Sequence, residues 1–299
     1  MPSLKDIRKR IAGVKSTQKI TRAMKMVAGA RLSKAQNRIT ELRPYALKTL
    51  EVLAGVTTGT TQQDEGSAED LAHPLLAVRR EKRVMLLVLT SDRGLCGAFN
   101  TNVNKRAERE WKTRVEEGQV VRLAVVGRKG RDFLQRRGAP VEYHAGVWDK
   151  LDYATAKRVG DKVLPAFLKG EVDAIYIVYN EFKTAMTQTV VCERLLPVPP
   201  SNVAQAATSE GAAAAFAFEP GKPILLDRLV PMYADISILR ALYESTASEL
   251  GARMTAMDSA TKNAKEMIDR LTLQYNKARQ AGITKELMEI VSGSEALKE

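Results

Sequence analysis

The chain has 299 residues and a mass of 33.0 kDa, a size that allows one large domain or two modest ones. Hydrophobic residues make up 44% and charged residues 27%, which excludes a disordered chain, and the 5% of aromatic residues favours long helices over a compact β-sandwich. Two cysteines and two histidines exclude a disulfide-dense scaffold and leave little material for a metal centre. No apolar run reaches membrane-spanning length and no secretory signal is present, so we expect a cytoplasmic, bacterial-type protein without a transmembrane segment.

The net charge of +12 is concentrated at the N-terminus. Residues 1–50 carry thirteen Lys or Arg and two acids, whereas residues 228–299 carry ten of each. A basic helix face is ordinarily a solvated surface. Two more specific alternatives are that the basic face binds an acidic protein surface or that it binds a nucleic acid.

The first segment has the pattern of one long amphipathic helix. Apolar side chains recur at spacings of three and four, as one stripe of a helix requires, and no proline interrupts them before Pro44. The stripe consists of Leu4, Ile7, Ile11, Val14, Ile20, Met24, Val27, Leu32, Ala35, Ile39 and Leu42.

The middle of the chain alternates between β-rich and helical patterns. This alternation predicts an α/β domain with a mostly parallel sheet. The predicted strands are Arg83–Thr90, Val120–Val126, Ala174–Tyr179 and Met186–Arg194, and the predicted helices lie near 101–117, 129–137 and 153–169. Two polar or small-residue stretches, Thr57–Ala72 and Val203–Ala215, are expected to be surface loops.

The last segment has a heptad pattern, which predicts a long helix over about Ile236–Val291 that packs against another helix. The seam consists of Leu250, Met254, Met257, Thr261, Ala264, Ile268, Leu271, Tyr275 and Ala278. Because the middle domain can return the chain to its starting point, we expect the two terminal helices to pair antiparallel. The expected division is an N-terminal coiled-coil helix at 1–57, an α/β domain at 75–200 flanked by loops 57–74 and 201–220, and a C-terminal coiled-coil helix at 221–299.

One motif has the arrangement of a possible catalytic turn. Thr90–Asn100 (TSDRGLCGAFN) follows a strand and precedes a helix expected to be capped by Asn100 or Thr101, so it could cradle a phosphate or lower the pKa of Cys96. Neither of the usual glycine-rich nucleotide patterns is present, which favours a purely conformational turn. Gly127–Gly130 (GRKG) matches the loop of nucleic-acid-binding KH domains, but a plain turn is again the stronger interpretation.

No Ser, His and acid constellation and no metal-ligand spacing is evident. We therefore expect no catalytic centre, no metal and no cofactor in this chain. Near the C-terminus, Ala281 and Gly282 leave a short stretch of the helix without large side chains. Such a tip is either an inert end or an element that passes close to a surrounding protein wall.

Three segments together resemble the gamma subunit family of F-type ATP synthases. They are IRKRIAGVKSTQKITRAMKMVAGARL near the N-terminus, TSDRGLCGAFN in the middle and YNKARQAGITKELMEIVSGSEAL at the end. The resemblance extends over essentially the whole chain. It implies an antiparallel coiled coil of the two terminal helices beside a Rossmann-like α/β domain that binds no nucleotide.

The resemblance also implies partners. The shaft's C-terminal tip would insert into a hexameric ring of alpha and beta subunits, and the basic N-terminal helix, including Arg8, Lys9 and Arg10, would face acidic loops of that ring. Polar contacts to a catalytic beta subunit are implied for Arg279 and Gln280, with Thr284 and Glu289 nearby and Met24 facing them from the N-terminal helix. Contacts to the membrane c-ring and the epsilon subunit are implied for Phe216, Phe218 and Glu219.

The function implied by the resemblance is that of a non-catalytic central-stalk rotor subunit of a proton-translocating ATP synthase, held peripherally at the cytoplasmic face of the bacterial inner membrane. Thiol regulation of the chloroplast kind is not expected, because Cys96 and Cys192 are far apart in sequence. Two alternatives stay open at this point: a basic nucleic-acid-binding protein and a small α/β enzyme using Cys96.

Overall fold

The computed structural model describes residues 3–58, 73–148, 150–198 and 222–296. The predicted loop Val203–Ala215 lies outside these residues, as does Thr57–Ala72 apart from its first two residues, which are helical. The elements in chain order are α1 (Leu4–Thr58), a 3-10 turn (Pro74–Leu76), β1 (Arg83–Leu89), α2 (Phe99–Glu116), β2 (Val120–Val126), α3 (Arg128–Arg136), β3 (Val141–Ala145), α4 (Tyr153–Leu168), β4 (Ala174–Phe182), β5 (Gln188–Leu196) and α5 (Lys222–Ala296).

These elements form two compact units. The helix-pair unit contains Met1–Gly29 and Arg253–Glu299, and the α/β unit contains Ala30–Ala252. Each of the two long helices therefore contributes residues to both units.

A five-stranded sheet in the order β3-β2-β1-β4-β5 forms the centre of the α/β unit. The first four strands are parallel, with Arg83 opposite Val120 and Val84 opposite Ala174, and β5 is antiparallel to β4. The predicted α/β fold is confirmed. The sequence did not reveal β3, because its five residues (VEYHA) include only one β-branched residue and carry a charge.

Both faces of the sheet are buried, as parallel sheets require. On one face Val84, Leu86 and Val88 pack in a core with residues of α2 and α3. On the other face the alternate residues Met85 and Leu87 pack in a core that includes α4 and α5. This double burial explains why β1 has an unbroken apolar sequence.

Both long helices continue through a proline. α1 passes Pro44 and α5 passes Pro231, so α5 begins well before the predicted start at Ile236. A proline in a helix interior removes one hydrogen bond and costs about 3 kcal/mol, which packing elsewhere on the helix can offset. In α1, Leu53 is fully buried and Leu42 packs against the same core. Among the described helices, none combines the length and hydropathy needed to cross a membrane.

Asp235 introduces a pH dependence into the α/β unit. Its carboxylate is buried and lies against Gly160 of α4, and one oxygen accepts a hydrogen bond of 3.4 Å from the Tyr153 hydroxyl. Burial, reinforced by the nearby Asp161, raises the pKa of Asp235 to about 6, although the hydrogen bond from Tyr153 and, less strongly, the charge of Lys157 oppose the shift. The folded state therefore binds a proton more tightly than the unfolded state, so this contribution to stability is full below pH 4 and is lost as pH rises through 6.

Asp235→Asn should therefore stabilise the chain at pH 7.5 by about 2 kcal/mol, because the amide imitates the protonated acid. Thermal unfolding from pH 4.5 to 8 checks this. As the pH rises from 4.5 to 8, the melting temperature of the wild-type chain should fall relative to that of the variant. If the difference between the two proteins stays constant with pH, Asp235 is not the titrating group.

Candidate functional site

In the helix-pair unit, α1 and α5 lie side by side in opposite directions. The Arg8 guanidinium donates a hydrogen bond of 2.8 Å to the Tyr275 hydroxyl and lies 5.6 Å from the centre of its ring. Further along, the Lys25 ammonium lies 2.6 Å from the Asp258 carboxylate. Residue numbers increase along α1 as they decrease along α5, which is the antiparallel coiled coil expected from the sequence.

The residues of the predicted seam on α5 are all buried or half-buried. From position 262 to position 281, every residue outside the seam is exposed. The buried seam residues are Leu250, Met257, Ala264 and Leu271, and the half-buried ones are Met254, Thr261, Ile268, Tyr275 and Ala278.

On α1, the predicted apolar stripe is wrong at three positions. Leu4 is 37% exposed, Ile20 is 57% exposed and Val27 is 53% exposed. Thr21 and Ala28, the neighbours of Ile20 and Val27, are buried instead. The packed face follows the regular heptad spacing of α1, and that spacing selects a polar and a small side chain over two large apolar ones.

The polar residues expected to bind a beta subunit lie at the far end of α5. Arg279, Gln280, Thr284 and Glu289 are all exposed. The Thr284 hydroxyl donates to the Gln280 carbonyl at 3.0 Å, and Glu289 lies 3.6 Å from Lys285 on the next turn. The Arg279 and Gln280 side chains are therefore turned to solvent and accessible to a partner.

Met24 does not face these residues, so that part of the expectation is wrong. The pairing of Lys25 with Asp258 places Met24 level with Ser259 of α5. Arg279 lies about twenty residues further along α5, a distance of about 30 Å. Met24 itself is half-buried between the helices.

Beyond Arg279, α5 has no partner helix among the described residues, since α1 begins at Leu4. This unpaired stretch, residues 283–291, exposes a series of large apolar side chains, which we name the apolar tip. Contiguous exposed apolar surface of this kind is characteristic of protein interaction sites. The apolar tip consists of Ile283, Leu287, Met288, Ile290 and Val291, each 50–68% exposed.

Three further residues expected to bind partners cannot be placed. Phe216, Phe218 and Glu219 lie outside the described residues.

The turn after β1 is held by its own side chains. The Asn100 side-chain oxygen accepts the Ser91 N–H at 3.0 Å, and its amide donates to the Arg93 carbonyl at 3.2 Å. The Ser91 hydroxyl donates to the same carbonyl at 2.7 Å. The predicted cap is wrong: α2 begins at Phe99, with Ala98 at its N-cap and no side-chain cap bond. Asn100 fixes the conformation of the turn instead.

The second candidate phosphate site, at the start of α3, is filled by the chain itself. The Arg128 N–H donates to the Asp92 carboxylate at 2.8 Å, and the Gly130 N–H donates to the Thr90 hydroxyl at 2.9 Å. A helix N-terminus attracts an anion, and here that anion is the side chain of Asp92. The GRKG run is therefore a strand-to-helix turn.

Neither histidine lies in a metal-binding cluster. Within the described ranges no group of three or more His, Cys, Asp or Glu side chains could hold a metal ion. Burial lowers the pKa of both His73 and His144, so both are neutral at pH 7. Of the two thiols, Cys96 is buried, and burial raises the pKa of Cys192 to about 11, which is unfavourable for a nucleophile.

Comparison with known proteins identifies the family. A family profile described as "ATP synthase" matches residues 3–297. The ATP synthase gamma chain of Sorangium cellulosum (strain So ce56) is 65% identical over the full length of both chains. That of Geobacter sp. (strain M21) is 46% identical, again over the full length of both. The chain belongs to the ATP synthase gamma chain family. The resemblance found in the sequence is confirmed.

Solved structures agree with this assignment. The central stalk of the Tetrahymena thermophila mitochondrial ATP synthase is similar over 81% of this chain and 99% of that one, with 26% identity and a TM-score of 0.59. A chain of the Euglena gracilis mitochondrial ATP synthase matches over 98% and 94%, with 20% identity and a TM-score of 0.66. The second match supports the gamma-chain fold alone.

Two features of this gamma-chain family member were not found by sequence reasoning. Asp92 occupies the start of α3, and Thr21 pairs with Thr261 inside the helix pair. The only sequence signal for the threonine pair was Thr261 itself, a polar residue at a seam position. No local signal indicated Asp92, because its contact joins two separate turns.

Cys96→Ser tests the remaining enzyme alternative. The thiol is 2% exposed and belongs to the packing of the turn after β1, so serine should leave a folded chain that assembles with its partners and supports ATP turnover. ATP hydrolysis by the assembled complex measures this. Complete loss of activity in a folded Cys96→Ser chain would argue for a chemical role of the thiol.

Proposed function

We propose that this chain is the non-catalytic central-stalk rotor subunit of an F-type ATP synthase. The observation that carries the proposal is the antiparallel helix pair, in which α5 continues past the start of α1 as a single helix with exposed polar and apolar residues. Full-length similarity to named ATP synthase gamma chains supports it. These relatives give no support to the nucleic-acid alternative.

The apolar tip is the surface we propose to lie inside the ring of alpha and beta subunits. Its exposed apolar side chains share the helix with the charged Lys285, Glu286 and Glu289, and neighbouring Ala281 and Gly282 add no bulk. The apolar side chains can slide against an apolar wall because they leave no strong hydrogen bond to break at each step. Next to it, Arg279 and Gln280 offer donors for an acidic loop of one beta subunit.

The mechanism follows from the asymmetry of this end of the molecule. Arg279 and Gln280 are neighbours on α5 and occur at one level of the shaft, so a shaft at one angle can contact only one of three equivalent beta subunits in this way. A partner surface that binds one conformation better than another shifts the equilibrium toward it. As the shaft turns, each catalytic beta subunit is favoured in turn in an open, loose or tight state.

Phe216, Phe218 and Glu219 are proposed to bind the epsilon subunit and the membrane c-ring. Protons would drive the movement of the c-ring, and this chain would be held at the cytoplasmic face of the bacterial inner membrane. The functional division we propose is a shaft formed by 1–57 and 221–299 and an α/β domain at 75–200.

Arg279→Ala should weaken turnover or coupling of the assembled complex without unfolding this chain. The side chain is exposed and forms no ion pair among the described residues, so the free chain should change by no more than about 0.5 kcal/mol. Loss of a charged contact to a partner should lower the ATP synthesis rate about ten-fold or more. Arg270→Ala, on an exposed part of the same helix, is the matched control. Normal rates for Arg279→Ala would remove this residue from the partner contacts.

Reconstitution tests the proposal as a whole. Purified alpha and beta subunits from the same organism are assayed for ATP hydrolysis with and without this chain, beside the chain alone. We expect an inactive free chain and a stable, much more active assembly. Failure to bind or stimulate the ring would overturn the rotor assignment.

A further inference from the structure

The middle of the helix pair contains a polar contact that the proposed partner contacts do not require. The Thr261 hydroxyl donates to the Thr21 hydroxyl at 2.8 Å, and Thr21 donates in turn to the Gln18 carbonyl at 3.1 Å. Thr21 is 8% exposed, so this bond lies within the packed seam. One turn further along α1, Lys25 contacts Asp258. We call Thr21, Thr261, Lys25 and Asp258 the polar layer.

Asp258 has two cationic partners. One carboxylate oxygen lies 2.6 Å from Lys25 of α1, and the other lies 3.0 Å from Lys262 of its own helix. These contacts lower the pKa of the Asp258 carboxyl, with the hydrogen bond from Lys25 as the largest cause. The acid is thus charged at every physiological pH and holds one lysine across the helix interface.

The apolar seam around the polar layer specifies the helix positions weakly. Its neighbours are small, with Ala28 on α1 and Ala264 on α5 both buried, and Met257 is a flexible gap-filler. A rotation of α1 about its own axis would bury the exposed Ile20 and Val27 in place of Thr21 and Ala28, so apolar burial alone does not select the observed setting. In a shifted arrangement each hydroxyl would keep only the carbonyl of its own helix, Gln18 for Thr21 and Met257 for Thr261, and the bond between the two helices would be lost.

We propose that the polar layer fixes the register and rotational setting of α1 against α5, and that its four residues are positioning residues for the partner-binding surface further along α5. A single polar contact in an otherwise apolar helix seam is a well-attested way to select one register at some cost in stability. In a shaft that bears torque, such a contact also resists rotation of one helix past the other.

Distance measurements on the full chain test the proposal. Nitroxide labels are placed at Ser16→Cys and Met267→Cys, two exposed positions at one level of the pair, in a chain with Cys192→Ser and with Cys96 buried. The chain with the wild-type polar layer and the double variant Thr21→Ser, Thr261→Ser (the serine pair) should each give one narrow distance distribution. The double variant Thr21→Val, Thr261→Val (the valine pair) should have a melting temperature no lower than that of the wild-type chain. It should nevertheless give a broadened distribution, or a second distance shifted by up to about 10 Å, the length of one heptad.

A single narrow distance in the valine pair would overturn the proposal. If the valine pair does not fold, Asp258→Asn decides in the same way, with broadening expected and an unchanged distribution contradicting it. Lower stability without broadening would show that the layer only adds binding energy between the helices, which also overturns it.

The helix setting should also affect the coupling of ATP hydrolysis to proton pumping. This expectation rests on the proposed rotor function and is measured separately. In the assembled complex, the valine pair should lose part of its proton pumping per ATP hydrolysed, while the serine pair retains it. Broadened distances with full coupling would overturn the link between the helix setting and coupling. Failure of the wild-type chain to stimulate the ring would instead count against the rotor function and leave the distance result intact.

Discussion

Ala264→Glu is expected to separate the two helices of the helix-pair unit. Ala264 is 8% exposed at a seam position, and the small side chain permits close contact there. Glutamate at this position would place a larger, charged side chain in the closely packed seam. We expect a loss of on the order of 3 kcal/mol, seen as an early loss of helical circular dichroism on heating.

Lys265→Glu, at the exposed neighbouring position, is the control for the added acid. It should change stability by about 0.5 kcal/mol at most, because a surface substitution away from the seam leaves packing intact. If both variants unfold alike, the effect is one of net charge. An unchanged melting curve for Ala264→Glu would show that the seam is not closed at this level.

The second large effect is expected at Gly127, where β2 turns into α3. Its φ of +100° is unfavourable for any side chain, and an added Cβ would lie within 2.0 Å of the Thr90 carbonyl oxygen. Both strands that meet here are central to the sheet, so the backbone cannot move away. Gly127→Ala should therefore cost about 3–5 kcal/mol, measured by urea denaturation.

Gly138→Ala separates the two causes. Gly138 also has a positive φ, of +75°, but an added Cβ would meet nothing within 4 Å. This variant should lose only the backbone term, about 1–2 kcal/mol. Equal losses for the two variants would mean that the approach of Thr90 contributes nothing.

The sequence predicted the element types of the α/β unit and the seam of α5 because those signals are local. A buried parallel strand is continuously apolar, and a heptad seam repeats every seven residues whatever else surrounds it. The limits of α5 were less predictable. The heptad pattern placed its start near Ile236, yet the helix begins at Lys222 and continues through Pro231, where Val230 and Ala234 pack in the α/β core.

The errors in the site have a common cause. Ile20 and Val27 were assigned to the stripe because they are apolar, but the heptad phase of α1 buries Thr21 and Ala28 instead. The partner helix α5 determines which face of α1 is buried, and α5 is too distant in sequence for a short segment of α1 to indicate it. In the same way, the level of Met24 relative to Arg279 depends on the pairing of Lys25 with Asp258 across most of the chain length.

The proposed function requires this chain to rotate within the ring of alpha and beta subunits, and direct observation of rotation tests it. A bead is attached at Glu116→Cys, an exposed position of the α/β unit, in a chain with Cys192→Ser, after assembly with immobilised alpha and beta subunits. ATP should drive rotation of the bead in one direction, and rotation should stop when ATP is removed. Steady ATP hydrolysis by a complex that contains the chain, with a bead that stays still or turns randomly, would contradict the proposed function.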